Sequence, residues 1–360
     1  MEKDFFAVIM AGGVGSRFWP VSTTQHPKQF RDLLGSGETL IQTTFRRLSA
    51  IVRPENIYIL TNERYEQLVK EQLPVVKQDH IVLEPVMRDT APAVLLAALK
   101  IQQKNPNALM LMAPSDHWIE DEMAFKEDIQ LAFNACIGED KILTLGINPT
   151  FPNTGYGYIK YDKNQNSGIK QVEKFTEKPS YAKAQDFLKE GNYLWNAGIF
   201  LWNIDFIIRS FSRNLPEMYQ LFTQNLNVLN TSGEKAFLQE NYPKANNVSI
   251  DYGILEKEED TVFVIPASFD WNDLGTWGSL YSETGKDEHE NALLNVRLYA
   301  EDASGNILSS ANNKVMVVEG LKNYIVVDEE EVLLIVPKDR EQDIKGVREK
   351  GQRKFGENIG

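Results

Sequence analysis

A chain of 360 residues, 42% of them hydrophobic, has length for one large domain and a smaller one. Its 51 acidic against 38 basic residues give net charge −13, which excludes nucleic acid as the main partner, since polyanion binding rests on a surplus of Lys and Arg. The single cysteine, Cys136, excludes an intramolecular disulfide and a cysteine-based zinc site.

"MEKD" leads straight into an apolar strand with no signal or membrane-spanning pattern, so a soluble, cytoplasmic protein without a membrane partner is expected. Short apolar runs then recur in chain order: "FFAVIM", "NIYILT", "ALMLMAP", "KILTLGI", "GIFLWN" and "TVFVIP". Between the first of them lie "ETLIQTTFRRLSAIV", "NERYEQLVKEQL" and "TAPAVLLAALKIQQK", whose periodicity reads as helix. "MAFKEDIQLAFNAC" reads as a further helix with Cys136 buried at its end. Alternating strands and helices predict an α/β protein with a Rossmann-like, mostly parallel (mixed) sheet flanked by helices. Near residue 285 the pattern changes. "SETGKDEHENA" is linker-like, and "NILSS", "KVMVVEG", "NYIVVDE" and "EVLLIVP" are short strands without helices between them. The expected division is therefore 1–285, a catalytic domain, and 286–360, a small β-rich C-terminal domain. The charged "DREQDIKGVREKGQRKFGENIG" ends the chain as a short helix, and no internal repeat stands out.

The first strand runs into "AGGVGSRFWPVSTTQHPKQF". A glycine-rich turn after a first strand points to phosphate, yet the dinucleotide fingerprint fails because its last glycine place is Arg17, and the Walker pattern fails because Gly15 is followed by Ser16 and Arg17. What remains is a bare backbone turn with two cations, Arg17 and Lys28, spaced by Pro20 and Pro27.

Ligands of such sheets bind beyond the carboxyl ends of the strands, and the unusual residues fall there. Asp116, in "LMLMAPSDHW", lies just past one apolar strand, and Asp273, in "FDWNDLGTW", comes after another apolar run. Each has a plain alternative, a helix cap or an Asx-turn. Together, two carboxylates at one sheet rim suit Mg²⁺, which takes a few protein oxygens and the rest from phosphate and water. Glu177 with Lys178 in "FTEKP" could equally be a solvated surface pair. Asn196 and Gly198 interrupt an apolar strand, and the glycines around Tyr156 permit close backbone approach. In "LEPVMRDTAPA" a helix start at Thr90 explains Asp89 by capping, but not Glu84 or Arg88. The four histidines lack metal-ligand spacing, and no Ser-His-Asp logic is visible.

"MAGGVGSRFWPVS" with "PKQF", "LEPVMRDTAPA", "APSDH", "GYGYI", "FTEKP", "WNAGIF", "SIDYGILEK" and "WNDLGTW", running in this order from residue 10 to about 278, resemble the bacterial mannose-1-phosphate guanylyltransferases (GDP-mannose pyrophosphorylases) of the sugar-nucleotidyltransferase family. The resemblance implies that Ala11, Gly12, Gly13, Gly15 and Ser16 wrap GTP with backbone N–H groups, and that Arg17 and Lys28 neutralise its β- and γ-phosphates. It implies Mg²⁺ on Asp116 and Asp273, and Lys178 on the phosphate of mannose 1-phosphate. Glu177, Asn196 and the Gly157 backbone resemble the groups that hold the sugar hydroxyls, with Asp251 a further active-site carboxylate. Glu84, Arg88, Asp89 and Thr90 fall on the nucleotide side. Guanine offers two adjacent donors that one carboxylate can accept, and Glu84 is the candidate, with Asp89 its rival. Many relatives carry a further phosphomannose isomerase domain; 360 residues leave no room for one, so transferase activity alone is expected.

The implied reaction yields GDP-mannose and pyrophosphate from GTP and mannose 1-phosphate. Catalysis is expected from position and charge, without a general base, because a sugar phosphate with a second pKa of about 6 is already ionised. A non-catalytic regulatory subunit of the same fold, or a transferase for another hexose 1-phosphate, is the alternative. The uncovered strands after residue 285 suggest a homodimer.

Overall fold

The computed structural model describes residues 3–13, 15–164, 167–258 and 260–356, with the Ser16 side chain outside the description. The chain divides into two compact units. The first comprises Met1–Gly12, Phe45–Pro114 and Ile119–Trp271; the second comprises Gly13–Thr44, Ser115–Trp118 and Asn272–Gly360.

Nine strands of the first unit form one sheet: β1 (Phe5–Met10), β2 (Ile57–Asn62), β3 (Ile81–Glu84), β4 (Leu109–Pro114), β5 (Ile142–Ile147), β6 (Tyr158–Tyr161), β7 (Lys170–Thr176), β8 (Tyr193–Asn203) and β9 (Val262–Pro266). Their order is β3-β2-β1-β4-β8-β5-β9-β7-β6. The β1–β2, β1–β4, β2–β3 and β5–β9 pairings are parallel, and β8 lies antiparallel to both β4 and β5. Strands β1 to β5 and β9 therefore point one way. β1, β2, β4 and β5 are mostly apolar and almost wholly buried, as strands covered by helices on both faces must be. The helix Thr90–Lys104 supplies much of that cover, with eleven consecutive buried residues from Ala91 to Ile101. The expected mixed, mainly parallel α/β sheet is what forms. Cys136 ends the helix Glu122–Cys136 with no surface exposed, and burial pushes its thiol up to about 12.

Parallel register brings the strand ends to one edge. Met10 stands beside Leu60 and Pro114, and Asn62 beside Glu84. Just past that edge, the Ala11 N–H donates to the Leu60 carbonyl (2.7 Å) and the Thr61 hydroxyl donates to the Ala11 carbonyl (2.8 Å). The opening turn thus leaves the sheet with its first peptide held on both sides.

In the second unit the C-terminal strands form a coil. β10 (Ala292–Leu294), β12 (Ile307–Ser310) and β14 (Tyr324–Asp328) stack in parallel, as do β11 (Arg297–Glu301) and β13 (Val315–Glu319), and β15 (Leu333–Pro337) closes antiparallel on β14. From β10 to β14 each strand pairs with the next but one, so successive turns lie one above another. Asn291 and Asn306, both with no exposed surface, hold the corner. Asn291 Oδ1 accepts from the Asn306 backbone and side chain, and Asn306 in turn bonds Leu321 O and Tyr324 N. This ladder shows a repeat that the sequence reading passed over: "NALL", "NILS" and "NYIV" begin at Asn291, Asn306 and Asn323. The strands bury Leu294, Ile307, Ile325, Val327 and Leu334 against Phe18, Trp19, Leu33, Leu40, Leu274 and Trp277.

Gly146 tests the tightness of the sheet. It lies where the β5–β8 register shifts, and a Cβ there would fall 2.7 Å from both Leu194 and Val264. Gly146→Ala is expected to lower stability by about 1–3 kcal/mol, the usual cost of overpacking a core. Urea unfolding measures it, and an unchanged midpoint would show that the strands part without cost.

Candidate active site

Three segments of the second unit converge on one ammonium. Lys28 Nζ lies 3.1 Å from Asp116 Oδ2 and donates to the carbonyls of Asp273 (2.9 Å) and Leu274 (3.0 Å). An ammonium has three donors, and all three are engaged. The segments are themselves bridged, because Trp118 and Asn272 exchange backbone hydrogen bonds of 2.8 and 3.0 Å. Burial alone would raise the Asp116 carboxyl, but the charges of Lys28 and then His117 outweigh it and hold it below the usual carboxylate range. Asp273 makes the Asx-turn that its sequence allowed, accepting from the Gly275 N–H at 3.0 Å.

The glycine turn is built around Lys28. Gly15 has φ of +59°, and a Cβ on it would sit 2.6 Å from Ser22 Oγ and 2.9 Å from the Lys28 backbone nitrogen. Only glycine satisfies both constraints. Gln29, 1% exposed, donates from its amide to the Gly13 carbonyl at 2.8 Å. Sequence reasoning quoted "PKQF" without giving Gln29 a role. The signal was there: a polar amide set between Lys28 and Phe30 in a segment otherwise destined for the core. Gly13 and Arg17 are exposed.

In the first unit two clusters form. Gly157, Glu177, Asn196 and Asp251 are linked through one another. Asn196 donates from its backbone to the Gly157 carbonyl (2.8 Å) and from its side chain to Asp251 Oδ1 (2.9 Å). A Cβ on Gly157 would lie 2.6 Å from Glu177 Oε2, so the absent side chain is what lets that carboxylate approach the backbone. Lys178, 63% exposed, pairs with Glu177 at 2.9 Å. Burial, then repulsion from Glu177, raises the Asp251 carboxyl to about 6.

The second cluster lies at the ends of β1, β2 and β3. Glu84 is 6% exposed; its carbonyl accepts from the Asn62 amide at 3.0 Å, and Oε1 accepts a short hydrogen bond from the Tyr242 hydroxyl. Its other oxygen lies 3.5 Å from where a Gly12 Cβ would stand. Asp89 is exposed and caps the helix Thr90–Lys104 through the Thr90 N–H (2.8 Å). Arg88 donates twice to the Pro243 carbonyl, and Thr90 Oγ1 accepts from Ile250 N. Tyr242 was missed from the sequence, where it stands in a helical stretch outside every quoted motif. Asp89, Lys178 and Leu274 all hold positive φ, of 59°, 42° and 43°.

Residues 6–290 match the nucleotidyl transferase family model. The chain belongs to the nucleotidyl transferase family. It is 35% identical to mannose-1-phosphate guanylyltransferase RfbM of Salmonella typhimurium, over 96% of this chain and 72% of that protein. It is 36% identical to alginate biosynthesis protein AlgA of Pseudomonas aeruginosa, over 94% and 70% of the two chains. Its structure is similar to one described as mannose-1-phosphate geranyltransferase from Thermus thermophilus, with TM-score 0.85, 32% identity, and 96% and 99% of the chains covered. In this nucleotidyl transferase, no group of three or more His, Cys, Asp or Glu side chains among the described residues is placed to hold a metal. The second unit instead offers the carboxylates of Asp116 and Asp273. These are oxygen donors of the kind that magnesium takes together with phosphate oxygens and water. Among the described residues no helix is long and apolar enough to cross a membrane.

Burial raises the Glu84 carboxyl to about 7, against a smaller lowering by the Tyr242 hydroxyl. The unfolded chain releases this proton near 4.5, so between the two values the folded chain binds more protons and stability falls as pH rises. Glu84→Gln should remove that slope, and Tyr242→Phe should move its upper end to higher pH. Urea unfolding across the window checks both; identical slopes in wild type and Glu84→Gln would refute the assignment.

Proposed function

We infer that the protein transfers GMP from GTP to α-D-mannose 1-phosphate, giving GDP-mannose and pyrophosphate. What carries the reading is its likeness, along nearly the whole chain, to a protein named mannose-1-phosphate guanylyltransferase.

In this proposal Gly12, Gly13, Gly15 and Ser16 present backbone N–H groups to the triphosphate, with Arg17 and Lys28 supplying charge. The Ala11 N–H, expected to join them, is taken by the Leu60 carbonyl and anchors the turn to the sheet instead. Lys28 has no idle donor, so a phosphate oxygen would take a place now filled by Asp116. Lys178 holds the phosphate of mannose 1-phosphate, and its exposure suits a group that must first capture a solvated anion. Asn196, Glu177, Asp251 and the Gly157 backbone take the sugar hydroxyls. Arg88, Asp89 and Thr90 shape the nucleotide side, while Glu84 reads the guanine edge. Gly12 supports that last role, since its lack of a side chain leaves the free Glu84 oxygen uncovered. When bound, Mg²⁺ on Asp116 and Asp273 would offset phosphate charge.

An oxygen of mannose 1-phosphate attacks the α-phosphorus of GTP in line. The new P–O bond forms as the bond to the β-phosphate bridging oxygen breaks, and that oxygen leaves with pyrophosphate. The nucleophile is already anionic at neutral pH, so no group must remove a proton. The barrier is repulsion between two anions, and the cations answer it by position and charge. We further propose a homodimer in the cytoplasm, joined through residues 286–360, where Tyr299, Val315, Val317, Leu333 and Ile335 stand exposed.

Pyrophosphate release with each of four nucleoside triphosphates, against mannose and glucose 1-phosphates, tests the activity; failure of GTP with mannose 1-phosphate to be the best pair would sink it. Lys178→Ala should raise KM for mannose 1-phosphate far more than for GTP, and Arg17→Ala the reverse. Equal effects of each change on both substrates would reject the partition. Asp116→Asn or Asp273→Asn should cut turnover by orders of magnitude. Glu84→Gln should weaken GTP use about ten- to a hundredfold, the worth of one hydrogen bond to a charged group, and narrow its preference over ATP. Val317→Lys should shift the sedimentation coefficient from dimer to monomer; an unaltered dimer would place the interface elsewhere.

A further inference from the structure

A second recess lies beside the opening turn, wholly within the second unit. It measures about 140 Å³ and is lined by Arg17, Thr276, Trp277, Glu341, Gln342 and Lys345. At roughly 30 Å³ per water this is room for a diphosphate group and too little for a nucleoside. Its charged groups are two cations and one carboxylate. The carboxylate is already committed: Glu341 Oε2 accepts from the Gly278 N–H at 2.7 Å, and its Oε1 accepts from Gln342. Trp277 is 1% exposed, and its indole N–H has no hydrogen-bond partner. Lys345 stands exposed in the first turn of the helix Ile344–Phe355, a position that suits anions and disfavours an unmatched cation. A lysine there gains from an anion placed between it and Arg17.

We propose that Lys345 is a further phosphate-binding residue, which with Arg17 holds the terminal phosphates of the nucleoside triphosphate and the pyrophosphate that leaves. The proposal rests on the reading of Arg17 given above. It brings a residue from the far C-terminal helix to the work of the N-terminal glycine turn. It also gives this acidic protein, of net charge −13, a second local source of positive charge where its substrate is most anionic.

Calorimetric titration of the full chain with magnesium pyrophosphate tests it. Lys345→Ala should weaken binding about two- to fivefold, the scale of an exposed rather than a buried charge contact. Lys345→Glu should weaken it further, and Lys345→Arg should restore it. In turnover, KM for GTP should rise while KM for mannose 1-phosphate stays put. Lys345 is exposed, so melting temperatures should match wild type. If Lys345→Ala binds pyrophosphate as wild type does while Arg17→Ala loses it, the proposal falls and the role of Arg17 stands. If neither change matters, both fall together.

Discussion

The second unit depends on where the Lys28 ammonium goes. It is 12% exposed, and a cation so placed must satisfy each of its donors or forfeit the hydration it gave up. It does so with one carboxylate and two carbonyls from segments far apart in sequence. Much of the local backbone follows from that demand. Leu274 takes a positive φ and turns its carbonyl to Lys28. The Asx-turns of Asn272 and Asp273 stabilise that bend through the Leu274 and Gly275 N–H groups. The Arg31 N–H closes the turn that carries Lys28 by donating to its carbonyl at 3.0 Å. A neutral residue at 28 would leave two carbonyls and a carboxylate without their donor, whatever it did to catalysis.

The first unit meets the opposite constraint, too much negative charge in too little water. Glu177 and Asp251 repel each other, and Asp251 answers by holding its proton up to about 6. Asn196 holds Asp251 in place, its amide donating to Asp251 Oδ1 while its oxygen accepts from the Gly198 N–H. Carboxylates kept close in this way are poor for stability and well suited to hydroxyls, which donate to them. The same trade holds at Glu84, where burial is tolerated because Tyr242 satisfies one oxygen and the backbone of Asn62 and Glu84 is fixed by register. Sites of this kind are stabler with a donor-rich ligand than without one.

Much of this was legible in the sequence because local chemistry governs it. Six-residue apolar runs became buried strands, and "TAPAVLLAALKIQQK" became the helix Thr90–Lys104 residue for residue. Gly15 was identifiable as a turn glycine, since positive φ next to a crowded lysine leaves no other choice. What sequence reasoning lost was set by long-range partners. Tyr242 lies 158 residues from Glu84 and has no motif to announce it. Gln29 looked like an ordinary polar residue until Gly13 gave its amide a target. The asparagine ladder escaped because its repeat is short and uneven, with spacings that differ between turns of the coil. Its hydrogen bonds become visible only when the turns are stacked.

The composition of the second unit carries one more consequence. The glycine turn does not end at the sheet that launches it, since Gly13 to Thr44 packs within a core completed by residues beyond 272. Phe18 and Trp19, 1% and 4% exposed, stand next to the exposed Arg17 in the chain. Phe18 meets Trp277 with ring centroids 5.2 Å apart, and Trp277 belongs to the same cluster as Ile307, Ile325 and Ile344. A flexible, glycine-rich loop cannot by itself aim a cation, because the entropy of ordering it must be met elsewhere. Here the apolar residues following Arg17 meet it, anchored by strands nearly three hundred residues away. The β-coil is thus not an appendage to the glycine turn but the body against which that turn is set.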